Sequence, residues 1–175
     1  MVSIVLIGCF AGILLSAFLY LTLKARSARA ASWADLVARL EPLHRKGLEL
    51  VALDNLQPGQ NQLRFDPAEM WDLVGGVEGL RRMSRNANVL IALAAHVHQW
   101  NYEEAIIVAE RMRRDAAQLR SAIFRIRLEI LTKRVIGLPF NLHQAATSYY
   151  LMTQRLLSLY QSSHAGLYPA LAEVL

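Results

Sequence analysis

The 175-residue sequence holds a single cysteine, Cys9, so neither an intramolecular disulfide nor a cysteine metal cluster can staple the fold. It has no Walker loop, no Gly-x-Ser-x-Gly and no Gly-x-Gly-x-x-Gly, which removes the recognisable phosphate-binding and nucleophile motifs. Gly75, Gly76 and Gly79 fall inside a helical pattern and do not follow a strand, so they are no phosphate cradle. Alternating strand patterns, low-complexity tracts and repeats beyond heptads are missing too. Charge is absent from one stretch altogether: Val2 to Leu23 carries no acidic or basic side chain.

A helix over those 22 residues rises about 33 Å, enough to cross the ~30 Å hydrocarbon core of a bilayer. A cleaved signal peptide would have a basic start, a shorter apolar core and a small-residue exit. No basic side chain precedes the run, and Ala28-Arg29-Ala30 lies beyond Lys24 and Arg26, so the segment reads as a retained single-pass anchor. Lys24, Arg26 and Arg29 flank its C-terminal side, which places residue 24 onward in the cytoplasm and the N-terminus outside the cell membrane. Gly8, Gly12 and Ser16 line one face of the run at helical spacing, where backbones of two helices can meet closely. The expected partners of the anchor are lipid and another membrane subunit or a second copy of itself.

All 19 basic and 14 acidic residues follow the uncharged run, giving residue 24 onward the whole net charge of +5. This leans mildly toward anionic partners. Its length suits one domain with a core of its own. Apolar residues recur there at steps of three and four, the period of helices packed side by side. The expected fold is therefore all-α, a single transmembrane helix followed by an antiparallel three- to four-helix bundle. Residues 1–24 are the anchor, 25–66 a juxtamembrane helix and loop, and 67–175 the bundle.

The juxtamembrane helix spans Ser32 to Leu53, with Trp33, Leu36, Leu40, Leu43, Gly47 and Leu50 as its seam and a kink at Pro42. Asp66-Pro67-Ala68-Glu69 opens a second helix running to about residue 100, which Gly75-Gly76 splits or bends. Its seam is Met70, Leu73, Val77, Leu80, Ser84, Ala87, Ile91, Ala94 and His98, and the all-apolar stretch Val89 to Ala95 belongs at the centre of the core. Asn101 with Glu104 caps a third helix over about 102–136, whose seam is Ala105, Ala109, Met112, Ala116, Leu119, Ile123, Ile126 and Ile130. Gly137-Leu138-Pro139 ends it, and Asn141 with Gln144 caps a fourth over about 141–164 that packs Leu142, Ala145, Tyr149, Met152, Leu156 and Leu159. Short links make the last three antiparallel neighbours.

Off the third helix's seam stand Arg113, Arg120, Arg127 and Arg134, seven residues apart, so about 10.5 Å separates successive members. Arg113 has Glu110 in reach and Arg111 has Asp115, whereas Arg120, Arg127 and Arg134 lack an intrahelical acid. Ala117, Phe124 and Leu131 interleave the column, making a strip both basic and apolar. Such a strip fits an acidic protein face or an anionic lipid surface, with nucleic acid a poorer match. The bland alternative is a solvated face or pairing across helices.

Histidine offers little for metal. Glu41-Pro42-Leu43-His44 occurs once, where di-metal bundles use the pattern twice. His96 and His98 are two residues apart, about 200° round a helix, so one ion cannot take both. Glu103 and Glu104 suit helix capping better than acid–base chemistry. No cofactor and no catalytic group is assigned. The reading is a membrane-anchored scaffold, accessory subunit or protein-interaction module, more in keeping with binding than with an enzyme. Its alternatives are a tethered enzyme or cofactor protein using His44, His96, His98 and nearby carboxylates, or a basic module for nucleic acid or anionic lipid.

Overall fold

A computed structural model describes residues 32–56, 65–97, 100, 102–132 and 137–175. The anchor with Gly8, Gly12 and Ser16 lies outside the described residues, as do Asn101, His98 and Arg134. Among the described residues the chain is all-α: α1 (Trp33–Ala38), α2 (Arg45–Leu56), α3 (Pro67–Val74), α4 (Gly76–His96), α5 (Tyr102–Thr132), α6 (Leu138–Ser163) and α7 (Tyr168–Val174). No helix among them is long and apolar enough to cross a membrane.

Ser32 starts α1 with a reciprocal cap: its hydroxyl accepts from Asp35 N at 3.2 Å and its own N–H donates to Asp35 Oδ2 at 3.3 Å. The helix stops at Ala38, and residues 39–44 are not helical. The expected single helix with a kink is thus two helices. Pro42 offers no N–H to a helical ladder, and the buried amide of Asn86 takes over the freed backbone, accepting from Glu41 N at 2.9 Å and donating to Glu41 O at 2.8 Å. The break resets the helical phase: Gly47 of the expected seam is buried, but α2 also buries Leu48, Val51 and Ala52 and leaves the expected Leu50 exposed.

Asp66 is extended and Pro67 opens α3, as the sequence pattern requires, though the Asp66 carboxylate makes no capping bond. Gly75 then takes a left-handed φ of 82° and ends α3, and α4 begins at once. This break turns Val77 outward, while Met70, Leu80, Ala87 and Ala94 of the expected seam are buried. Met83, Leu90 and Leu93 join them, the last two from the all-apolar stretch. In α5 the expected seam is buried from Ala105 to Ile126, and only its last member, Ile130, is exposed. Every expected seam residue of α6 is buried. That helix starts earlier than expected, after Gly137, so Asn141 is no cap: it is buried and donates through Nδ2 to Glu129 Oε1 at 2.8 Å. The short α7, which the heptad pattern does not announce, buries Leu171.

Pairs of interacting residues fix the directions. Glu104 meets Ser162, Asp115 meets Arg155 and Glu129 meets Asn141, so α5 and α6 are antiparallel. Asn86 meets Tyr149 and the Tyr160 hydroxyl donates to Leu93 O, so α4 runs parallel to α6. Asp54 and Asn55 at the end of α2 meet His143 and Thr147 near the start of α6, while Leu48 and Glu49 share a cavity wall with Thr153 and Leu157, so α2 is antiparallel to α6. The bundle therefore consists of α2, α4, α5 and α6 around Leu80, Met83, Leu90, Met112, Leu119, Ile126, Met152 and Leu156, all fully buried. Each such side chain contributes roughly 1.5–3 kcal/mol by leaving water.

Candidate interaction surface

Because α5 is packed along a single stripe, its opposite side is left to solvent for the helix's full length. At 3.6 residues per turn Ile106, Arg113, Ala117, Arg120, Phe124, Arg127 and Leu131 fall along that outer side. Phe124 is 67% and Leu131 81% exposed, so neither takes part in the core. Leu128 is exposed next to this side of α5, whereas the exposed Phe140 at the start of α6 lies with Gln118, Gln144 and Thr147 on another face.

The arginines are not equivalent. Arg113 bonds Glu110 at 3.1 Å, and Arg114 lies 3.9 Å from the same carboxylate. Arg120 donates through Nη2 to Asn88 Oδ1 on α4 at 2.6 Å, a cross-helix partner that a search within α5 alone does not find. Arg127 has no partner among the described residues. The expected Arg111–Asp115 pair is not formed. Asp115 is buried and pairs with Arg155 on α6, while burial, followed by the nearby Arg111 charge, holds the Arg155 guanidinium below its usual pKa. A buried carboxylate needs such a partner, and Arg155 is the cation within the α5–α6 seam.

The histidines are dispersed. His44 is exposed ahead of α2, and Glu41 is turned to Arg85 at 3.0 Å. His143 Nε2 lies 2.9 Å from Asp54 Oδ2, a pairing of α6 with α2 that no local spacing announces. His96 and His164 both contact the Trp100 ring, at 5.4 and 4.7 Å between centroids, and burial lowers the His96 pKa. Among the described residues no three His, Cys, Asp or Glu side chains come together as a metal site would require.

A cavity of about 290 Å³ opens at the α1–α2 break, lined by Glu41, Glu49, Tyr149, Tyr150 and Gln154 among others. Burial pushes the Tyr149 phenol up to about 12, partly offset by the bond from Asn86 Nδ2 at 3.2 Å. Its lining mixes acids, phenols and aliphatic groups without a convergent set of donors for one ligand. Against family models, curated proteins and solved structures, the chain finds no match.

Proposed function

We propose that this chain is a single-pass membrane protein whose bundle acts as an accessory or scaffold subunit, and that the outer side of α5 is its contact surface for an acidic protein partner. One observation carries the reading: Arg127, Phe124 and Leu131 stand exposed with no packing or pairing among the described residues to account for them, on a helix whose other side is packed. Apolar rings and guanidinium groups side by side supply the contact area and the charge that an acidic face takes up. The uncharged run from Val2 to Leu23 supports membrane attachment, and Lys24, Arg26 and Arg29 after it support a cytoplasmic bundle. Gly8, Gly12 and Ser16 support close packing of the anchor on another membrane helix, a copy of its own included.

The test is mild-detergent isolation of the full chain from its native membranes, beside a variant with Arg113, Arg120 and Arg127 replaced by Gln. The expected result is one stoichiometric partner with a net acidic face that the variant loses, while both chains stay in the membrane fraction. Equal recovery of that partner by the variant, or no stoichiometric partner with the native chain, overturns the reading.

A further inference from the structure

The two ends of the bundle differ in what they expose, and one of them is the end at which the described chain begins. The Trp33 indole sits beside the Tyr160 hydroxyl, which donates to Leu93 O, so α1 starts level with the last turn of α4. From there the chain descends along α4 until Glu41 meets Asn86. Beyond Leu93 lies the α4–α5 end, where Trp100 is 45% and Tyr102 60% exposed and Ile106 and Ile107 open to solvent on the next turn of α5. Trp and Tyr carry an apolar ring with a polar edge, the pairing that suits the headgroup layer of a bilayer.

We propose that this end of the bundle rests in the zwitterionic headgroup layer of the membrane, with Trp100, Tyr102, Ile106 and Ile107 entering it. The inference rests on the anchor assigned under Proposed function. Only residues 24–31 separate the uncharged run from Ser32, and eight residues span at most about 28 Å. The opposite end, at Leu131 and Phe140, is 25 residues along α5 from the level of Ile106, or about 38 Å. That distance exceeds the link, so the bundle cannot stand with its opposite end down. The cations next to the membrane are Lys24, Arg26 and Arg29 of the link, which serve the anchor; on α5 the arginines begin farther along, at Arg111, and Glu103 is exposed, so this end of α5 itself suits a zwitterionic surface. Glu104 is turned to Ser162. The geometry also leaves the Phe124–Leu131 part of the α5 strip clear of lipid and open to a protein.

The experiment uses the full chain with Cys9→Ser, reconstituted in phosphatidylcholine liposomes and spin-labelled at Ile107→Cys or, separately, Phe140→Cys, with Ile106→Cys as a second position at the near end. Collision rates with oxygen and with a water-soluble nickel complex report depth. The expected result is an oxygen-to-nickel ratio several-fold higher at 107 and 106 than at 140. Equal water exposure of 107 and 140 in chains that resist alkaline extraction overturns this inference alone. Immersion of both ends shows a bundle lying flat and overturns it as well. Release of the chain at alkaline pH refutes the anchor, and with it the inference.

Discussion

Arg120 on α5 reaches Asn88 Oδ1 on α4 at 2.6 Å, while Arg127, two turns farther along the same column, finds no partner among the described residues. The column therefore includes a member that ties two helices together and a member with no such tie among the described residues. The tie is exposed, so water and salt weaken it.

Arg120→Ala is expected to lower stability by up to about 1 kcal/mol, the range for a charged hydrogen bond in solvent, and Arg127→Ala by less than about 0.5 kcal/mol. Both are expected to weaken the acidic partner. Chemical denaturation of the full chain in mild detergent reads the first pair of values. A loss at Arg127 equal to that at Arg120 would mean that Arg127 has a structural partner.

Ile123 and Phe124 are neighbours in sequence and opposite in fate: the first is 4% exposed in the α5–α6 seam and the second faces solvent. Ile123→Ala is expected to cost about 2–5 kcal/mol and Phe124→Ala within about 0.5 kcal/mol. Urea midpoints of the two variants check the register of α5 directly. Similar losses at both positions would show that the outer side of α5 is covered.

What was legible in the sequence follows the length of uninterrupted helix. In α5 and α6 the three-and-four spacing holds over many turns, so its phase identifies the buried stripe from Ala105 to Ile126 and from Leu142 to Leu159. Where the backbone breaks, the phase is lost. The interruption ahead of α2 moves burial from Leu50 to Leu48 and Val51, and the turn at Gly75 carries Val77 out of the core. Proline and the glycine pair mark those places, but not how far the next helix is rotated.

The polar pairs were the least legible because they join residues far apart in the chain. Asp115 has Arg111 four residues away and Arg155 forty residues away, and burial selects the distant partner. Asn88 on Arg120, Asn86 on Glu41 and His143 on Asp54 are likewise contacts between helices, invisible to spacing within one. The exposed arginine strip was readable because it depends only on α5's own period.

Asn86 holds both backbone groups of Glu41 from a position that is 1% exposed. Asn86→Leu keeps the branched skeleton, with bulkier methyl groups, but leaves the part-buried N–H and C=O of Glu41 without their partner, which costs about 1–3 kcal/mol for each group not rescued by water. Hydrogen exchange at the Glu41 amide is expected to accelerate along with this loss. An amide as protected as before would show that another acceptor holds the α1–α2 link.

Gly79 packs its Cα against the end of α3. A methyl group there would stand 1.9 Å from Val74 O, whereas one at Gly166 meets nothing closer than the His164 ring at 3.5 Å. Alanine favours a helix over glycine by about 1 kcal/mol, yet Gly79→Ala is expected to destabilise, since backbone must shift to admit it. Gly166→Ala is expected to be neutral or mildly stabilising. Thermal midpoints of the two variants moving in the same direction by the same amount would contradict the close α3–α4 approach.

Two buried phenols set the alkaline limit of the fold. Burial raises Tyr149 and Tyr160 from 10.0 to about 12, with Asn86 beside the first and Trp33 beside the second partly offsetting it. The folded state thus holds these protons more tightly than the unfolded chain does. Their contribution is complete below pH 10, where both states are protonated, and is lost as pH rises from the unfolded pKa of 10.0 through the folded value of about 12. Stability of the full chain is therefore expected to fall across that window, with tyrosinate absorbance rising together with unfolding. Tyr149→Phe should flatten this alkaline slope, and so should Tyr160→Phe, even though the latter lowers stability at neutral pH by deleting the bond to Leu93 O. An unchanged slope in both variants would mean that these phenols ionise without opening the core, and that the space around them admits water.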